Sequence, residues 1–277
     1  MATITASDVN KLRQITGAGM MDCKKALQET DGDFEKAIDE LRKKGQKVAA
    51  NRSDRDAKEG VVLAKENNDK TAAALVCLNC ETDFVAKNQE FIDVTQTFLN
   101  IAIDKMPANS EELKNQSFNN DITIGDKIIE MVGKIGEKID LSAYEVVKAQ
   151  TVVTYIHPGN KLATVVGLNK TGNKVVDAGK QVAMQVAAMN PVSIDKNSVS
   201  KEIIDRELEI AKEQVRQEGK PENMVDKIAE GKLNKFFKES TLLSQQFIRD
   251  NNITVEQFLK QIDPDLTVTA FKRVALG

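Results

Sequence analysis

The N-terminal part of the chain shows helical periodicity. Apolar residues recur three or four positions apart in successive segments, with glycine-containing breaks between them. Thr5 and Asp8 match a capping box before a first helix, and residues 20–29 predict a second. A third helix begins after Asp33 and is expected to stop near Gly45. The pattern assigns these residues to the inner faces of the helices: Val9, Leu12, Ile15, Met21, Ala26, Leu27, Phe34, Ala37, Ile38 and Leu41.

Strand-like apolar runs follow a polar segment at residues 46–59. The runs at 61–64 and 73–79 are joined by an Asn-Asn-Asp turn, and those at 152–155 and 163–169 by His-Pro-Gly-Asn. Each pair predicts a β-hairpin, and helical periodicity follows both hairpins. This repeat indicates two related α+β subdomains, each with an antiparallel sheet and covering helices.

Helical periodicity returns in the second half of the chain. Residues 199–218 and 222–239 predict an antiparallel helical hairpin, with Pro221 at the start of its second helix. A short helix near residue 258 and a strand over 267–274 follow.

These patterns predict an α+β protein with several parts. We expect a three-helix docking module at 1–45, a linker at 46–59, and core subdomains at 60–148 and 149–277, the second of which includes the helical hairpin 199–240. The length of 277 residues fits roughly two domains of about 150 residues each. A module as small as the first has a small core, which suits docking better than catalysis.

Composition narrows the class of partner. The net charge of -3 and the pI of about 5.5 argue against nucleic acid, because binding to phosphates requires clustered Lys and Arg. The first residues, MATITASDVNKL, lack the apolar segment of a signal peptide, and no apolar run approaches the ~20 residues that cross a bilayer. We therefore expect a cytoplasmic protein with no direct nucleic-acid or membrane partner.

Candidate catalytic chemistry is sparse. Cys77 and Cys80 form a C-x-x-C motif, but Cys23 is isolated and His157 is the single histidine, so a zinc site lacks its second pair of ligands. Positions three apart in a strand also face opposite sides. We expect reduced thiols, and a redox C-x-x-C remains the one enzyme hypothesis. Nucleotide-binding, zinc-protease and hydrolase motifs do not occur, so we predict no catalytic residue, no metal site and no cofactor.

Thr82-Asp83-Phe84-Val85 places an aromatic residue at a polar turn. In one interpretation Thr82 or Asp83 caps a helix that begins near Val85, and Phe84 folds back onto the sheet as a hydrophobic staple. In the other, Phe84 stays outside the core and enters a partner. The pattern alone favours the staple.

Two segments closely resemble the signature segments of the translation elongation factor Ts family. They are residues 12–27 (LRQITGAGMMDCKKAL) and 79–88 (NCETDFVAKN), and their order and spacing also match. The resemblance covers nearly the whole chain, including Gly-Lys-Pro at 219–221 in the helical hairpin. It implies a guanine nucleotide exchange factor for elongation factor Tu, and an N-terminal module similar to the ubiquitin-associated three-helix fold.

The resemblance also implies which residues contact the partner. Asp83 and Phe84, flanked by Thr82 and Val85, would enter the GTPase domain of GDP-bound or nucleotide-free elongation factor Tu. There they would dislodge Mg²⁺ and promote GDP release, which reverses the preference for the staple. The same resemblance implies further partner contacts at Arg13, Met20, Met21, His157 and Gly159.

Two departures from the family limit this transfer. Cys77 stands where members often carry an acid, so the resemblance does not carry over a contact of that acid. Some members continue with a further helix that touches the GTPase, whereas this sequence ends at Gly277, so we expect that contact to be absent. The competing hypothesis is a binding or chaperone-like module that uses the three-helix domain to hold peptides or ubiquitin-like partners and has no exchange activity.

Overall fold

The computed structural model describes residues 4–277, which begin with a helical module. Its helices are α1 (Ala6–Thr16), α2 (Met20–Glu29) and α3 (Phe34–Asn51). Thr5 and Asp8 form the predicted capping box, and the Asp33 side chain accepts a hydrogen bond from the Lys36 N–H, which caps α3. The buried core of the module consists of Val9, Leu12, Cys23, Ala26, Leu27 and Ala37.

The first core subdomain contains the predicted hairpin and a third strand. Its elements are β1 (Glu59–Glu66), β2 (Ala72–Cys80), α4 (Asp83–Ala86), α5 (Gln89–Lys105), α6 (Ser110–Lys114), α7 (Ile124–Ile135) and β3 (Asp140–Lys148). The strands form an antiparallel sheet in the order β1-β2-β3. The sequence patterns did not identify β3, α6 or α7.

The second core subdomain repeats this plan. Its elements are β4 (Thr151–Ile156), β5 (Leu162–Leu168), α8 (Asn173–Met189), α9 (Lys201–Gln217), α10 (Glu222–Ser240), β6 (Gln246–Phe247), β7 (Asp250–Thr254), α11 (Val255–Ile262) and β8 (Val268–Ala275). The main sheet is antiparallel in the order β4-β5-β8, and β6 and β7 form a small separate ribbon. The hairpin, the helical pair α9–α10 and the final strand confirm the predicted elements.

The two main sheets pack face to face. One buried cluster lies between them and draws Val62, Leu75 and Cys77 from the first sheet and Val152 and Val165 from the second. The opposite face of each sheet is covered by helices of its own subdomain. Because both faces of β2 are covered, all of its residues are buried, which explains its continuous apolar run.

The two subdomains pack together with their hairpins pointing in opposite directions. The Val62 N–H donates to the Asn160 carbonyl oxygen over 2.7 Å, and the Val152 N–H donates to the Lys70 carbonyl oxygen over 2.7 Å. Lys70 and Asn160 occupy the same left-handed position in their hairpin turns, with φ of 55° and 56°. The matching contacts support an internal duplication, and each turn lies against the other subdomain.

Two predictions about the N-terminal helices are wrong. Ile15 and Met21, which the pattern assigned to the inner faces, are 56% and 73% exposed. Helix α3 does not stop near Gly45 but continues to Asn51. Gly45 is not among the glycines with positive φ and lies against α7, where an added Cβ would come within 2.9 Å of the Ile129 carbonyl oxygen. Glycine therefore serves here for close helix packing instead of helix termination.

Within residues 4–277, no helix combines the length and the apolar character needed to span a bilayer.

Candidate functional site

The segment after β2 forms an exposed tip, which we define as Thr82–Val85. The Thr82 hydroxyl accepts a hydrogen bond from the Val85 N–H and caps the one-turn helix α4. Phe84 is 83% exposed, the largest exposed fraction among the large apolar side chains of the described residues. The cap prediction is confirmed, whereas the staple interpretation is wrong for Phe84.

The other side of α4 faces inward. Val85 is half-buried and packs against the core of the first subdomain, and Ala86 is buried in that core. The short helix is therefore attached to the core on one side and presents Phe84 on the other. Phe84 thus presents an aromatic ring to solvent from a short helix that is packed on the core.

Asp83 carries a negative charge beside the exposed ring. Its carboxylate accepts a hydrogen bond from the Lys87 ammonium over 2.6 Å. This bond, with smaller contributions that include the charge of Lys161, lowers the pKa of Asp83 below its ordinary value. The tip therefore combines an ionised carboxylate with an apolar ring.

The backbone of the tip is held by Glu137, which follows α7. One oxygen of its carboxylate accepts hydrogen bonds from the N–H groups of Glu81 (3.1 Å) and Thr82 (3.0 Å). The other oxygen accepts from the Thr82 hydroxyl over 2.7 Å. One carboxylate thus satisfies three donors at the start of the tip.

Glu81 connects the tip to the end of α3. Its carboxylate accepts from the Arg52 guanidinium with both distances at 3.1 Å, and from the Lys138 N–H over 2.7 Å. The Lys138 ammonium in turn donates to the carbonyl oxygens of Ser53 (2.6 Å) and Arg55 (3.0 Å). The backbone hydrogen bond from Lys138 is the largest cause of the lowered pKa of Glu81.

Of the predicted contact residues in the N-terminal module, Arg13 lies close to the start of α5. Arg13 is exposed, and Met20 is 54% exposed, next to Met21. A surface depression is lined by residues of both regions, among them Arg13, Gly17, Glu90 and Lys134. Lys134 also pairs with Glu90 in the first turn of α5, shortly after the tip.

His157 and Gly159 lie in the exposed turn between β4 and β5. The His157 Nδ1 is 2.9 Å from the Tyr155 hydroxyl, and Gly159 has a φ of 92°, a conformation that favours glycine. Near this turn, the Lys161 ammonium lies 2.7 Å from the Glu59 carboxylate, and Glu59 pairs with Cys80 at the end of β2. The turn is therefore adjacent to the strand end that leads into the tip.

The C-x-x-C cysteines face opposite sides, as predicted. Cys77 lies between the two sheets, and Cys80 lies in the core under the helices. Burial raises the pKa of the Cys77 thiol. Burial, together with the charges of Glu137 and Glu59, raises the pKa of the Cys80 thiol to about 12. Both groups are protonated at neutral pH. Across residues 4–277, no group of His, Cys, Asp and Glu side chains is arranged to hold a metal ion.

Sequence reasoning missed the residues that hold the tip: Arg52, Glu81, Glu137 and Lys138. The available signal was Gly-Glu-Lys at 136–138, a charged pair directly after a glycine that ends α7 with a φ of 79°. Because β3 was not predicted, nothing in the pattern brought this pair next to the end of β2.

Comparison with known proteins is consistent over the whole length. A family model described as Elongation factor TS matches residues 81–277. A protein named Elongation factor Ts from Amoebophilus asiaticus is 54% identical over 275 residues, which cover 99% of each chain. Proteins of the same name from Christiangramia forsetii and Flavobacterium psychrophilum are 52% and 51% identical over 277 residues, and cover 100% of each chain.

The chain belongs to the elongation factor Ts family.

The family match of this elongation factor Ts chain begins at Glu81 and therefore includes the tip and the His157–Gly159 turn. Arg13, Met20 and Met21 precede this match but lie within the regions aligned to the full-length relatives. The resemblance inferred from the two signature segments is confirmed.

Proposed function

We propose that this chain is a cytoplasmic guanine nucleotide exchange factor for elongation factor Tu in translation elongation. The observation that supports this function most is Phe84, an 83% exposed aromatic ring on a packed one-turn helix. A large apolar side chain in water gains free energy when an apolar pocket removes it from solvent. The tip is suited to deliver that ring to a partner.

In the proposed mechanism, Asp83 and Phe84 enter the GTPase domain beside the nucleotide. Their insertion shifts the partner elements that hold Mg²⁺ and the phosphates, so Mg²⁺ is dislodged and GDP leaves. No covalent step is required, because the factor needs only to bind the nucleotide-free state more tightly than the GDP state. By linkage, GDP weakens binding of the exchange protein to the same extent as the exchange protein weakens binding of GDP.

The free energy available from burial of Phe84 indicates that the tip does not act alone. Burial of one phenylalanine contributes about 1.5–3 kcal/mol, or roughly one to two decades in an equilibrium constant. Greater weakening of GDP binding requires contacts elsewhere on the surface. We propose that this further contact comes from these residues: Arg13, Met20, Met21, His157 and Gly159.

Nucleotide release tests this function directly. Elongation factor Tu is loaded with a fluorescent GDP analogue, excess unlabelled GDP is added, and fluorescence is followed with and without this chain. We expect release to accelerate with increasing concentration of the chain. A release rate that does not depend on the chain would refute the proposal.

The exposure of Met20 and Met21 also suits the alternative, a binding or chaperone-like module without exchange activity. The two functions respond differently to Met20→Asp with Met21→Asp, since both side chains lie outside the core of the module. Under the exchange function, this variant weakens stimulation of release but retains it. Under the alternative, the wild-type chain binds model peptides without stimulating release, and the variant loses that binding.

A further inference from the structure

We propose that Glu137 is a positioning residue, which holds the tip in the conformation that engages the partner, and that Glu81 and Arg52 extend this support to helix α3. The inference rests on the exchange function proposed above. It concerns how the free chain prepares the tip before any partner is present.

The tip requires support because α4 cannot sustain itself. It has 4 residues, and the first turn of a helix fixes several backbone dihedrals for little hydrogen bonding in return. Phe84 adds little, because it is largely in solvent. The direction of its ring is therefore set by the backbone, which is held by the packing of Val85 and Ala86 on the core and by the hydrogen bonds at the start of the tip.

Glu137 makes the hydrogen bonds at the start of the tip, at the point where the sheet stops. The last residue pair between β2 and β3 is Asn79 with Asp140, and beyond it the two strands separate. The N–H groups of Glu81 and Thr82 then have no strand partner, and the Glu137 carboxylate accepts from both. The side chain in effect continues the ladder for two further residues.

The same carboxylate orients the cap of α4. The Thr82 hydroxyl donates a hydrogen bond to the Glu137 carboxylate over 2.7 Å, which leaves its lone pairs free to accept from the Val85 N–H. A hydroxyl without this acceptor rotates among its staggered positions and caps the helix for only part of the time. Glu137 therefore fixes both the backbone before α4 and the cap of α4.

Glu81 makes the support reciprocal. Its N–H donates to Glu137, while its carboxylate accepts from the Lys138 N–H over 2.7 Å. The segment after β2 and the segment before β3 thus exchange hydrogen bonds in both directions. Arg52 then binds the Glu81 carboxylate from the end of α3. Helix α3 packs on α7, and Glu137 follows α7, so the tip and the N-terminal module share one support.

The functional consequence is preorganisation. If only a fraction of molecules holds the tip in its engaging conformation, the apparent dissociation constant rises in inverse proportion to that fraction. Hydrogen bonds to a charged acceptor contribute enough that their loss corresponds to roughly tenfold or more in an equilibrium constant. Loss of Glu137 should therefore increase the concentration needed for exchange, while the maximal rate at saturation stays close to that of the wild type.

The experiment compares Glu137→Ala and Glu137→Gln with Glu111→Ala. Glu111 is an exposed glutamate of the same subdomain that pairs with Lys114, so it controls for the loss of one negative charge. We expect Glu137→Ala to raise the half-saturating concentration for GDP release about tenfold. Gln retains one acceptor oxygen, so Glu137→Gln should lie between alanine and the wild type, and Glu111→Ala should match the wild type.

A measurement on the free chain separates positioning from direct contact with the partner. Amide hydrogen exchange of Glu81 and Thr82 should accelerate in Glu137→Ala and less in Glu137→Gln, while amides in β5 stay protected. This readout needs no elongation factor Tu, and it remains informative if the alanine variant is less stable, because the glutamine variant is nearly isosteric. Unchanged protection of both amides would overturn the proposal.

Combination with Phe84→Ala provides the second criterion. If Glu137 acts through the tip, its substitution should add little to the exchange defect of Phe84→Ala, because residues that act as a unit are non-additive. Full additivity would contradict a positioning role. A wild-type chain that fails to stimulate release refutes the exchange function itself, whereas an active wild type with unaffected Glu137 variants refutes only the positioning role.

Discussion

The two core subdomains share a strand–turn–strand–helix order but differ in the link between the second strand and the helix. In the first, residues 81–88 separate β2 from α5 and include α4 with its exposed Phe84. In the second, the shorter link 169–172 leads from β5 to α8, and the Asn169 side chain ties it to residues 265 and 267. The extra length of the first link, and not the shared scaffold, provides the candidate exchange element.

The opposite ends of the two hairpins also differ. In the first, the Asn67 side chain closes the turn by accepting from the N–H groups of Thr71 and Ala72. In the second, the turn exposes His157 and Gly159. Because the subdomains stack in opposite directions, the second turn lies beside the end of β2. The duplication and the opposite directions of the subdomains thus place the tip and the His157–Gly159 turn on one side of the molecule.

The largest expected effect is on the tip. Phe84→Ala should slow stimulated GDP release by about ten- to hundredfold, since one buried phenylalanine contributes about 1.5–3 kcal/mol. The melting temperature should change little, because the ring is 83% exposed in the free chain. The matched substitution in the other link, Thr171→Ala, should leave release unchanged. Fluorescent GDP release and thermal melting measure the two quantities, and equal effects at both links would remove the functional distinction between them.

A second prediction concerns how closely the covering helix approaches each sheet. A Cβ at Gly179 of α8 would lie 2.7 Å from Val153 and 2.8 Å from Leu168, so Gly179→Ala should cost about 1–3 kcal/mol of unfolding free energy. The corresponding position of α5, counted from the helix start, is the buried Thr95, so the first subdomain accommodates a larger side chain there. The free energies of unfolding of the wild type and Gly179→Ala, measured by urea denaturation, test this prediction.

Gly231→Ala in α10 is the control for Gly179→Ala, because a Cβ there meets no atom within 4 Å. It should stabilise the chain by up to about 1 kcal/mol through helix propensity. A Gly179→Ala variant that is as stable as the wild type would show that α8 can move away from its sheet.

A third prediction tests the turns. His157→Ala should raise the half-saturating concentration for GDP release about fivefold, as expected for loss of roughly 1 kcal/mol at one surface contact. Asn68→Ala changes an exposed residue of the first turn and should have no effect on release. If both substitutions weaken release equally, the two turns do not differ in their access to the partner.

Sequence patterns captured the elements better than the environment of single side chains. Both hairpins follow from strand-like apolar runs joined by turn residues, and the α9–α10 pair follows from helical periodicity. Strand β3 escaped notice because it is an edge strand, in which only Leu141 and Val147 are fully buried. The hydrogen bonds that Glu137 accepts from Glu81 and Thr82 could not be predicted either, since these residues are far apart in sequence and meet only through the missed strand.

Phe84 illustrates a different limit. Local pattern assigned it to a staple, because an apolar residue after a cap commonly packs on its own helix. Whether such a residue is buried depends on which way α4 rotates on the core. That rotation is set by Val85 and Ala86 below it and by Glu137 beside it, so it is a tertiary property. Only the family resemblance indicated an exposed ring.

The smallest expected effect contrasts Cys80 with Lys170, the residues that follow Asn79 and Asn169 in the two subdomains. Lys170 is charged and pairs with Asp263, whereas burial raises the pKa of the Cys80 thiol from 9.0 to about 12.

A raised folded-state pKa contributes stability that is complete below the unfolded value of 9.0 and is lost as pH rises toward about 12. Stability of the wild type should therefore fall between neutral pH and about pH 10 by more than that of Cys80→Ala, as measured by urea midpoints. Cys23→Ala serves as the comparison at a thiol in the buried core of the N-terminal module, where burial also raises the thiol pKa, so this variant should reduce the alkaline loss as well. If the alkaline loss of wild type and Cys80→Ala is the same, the Cys80 thiol ionises as readily in the fold as in the unfolded chain, and burial at the end of β2 does not suppress its charge.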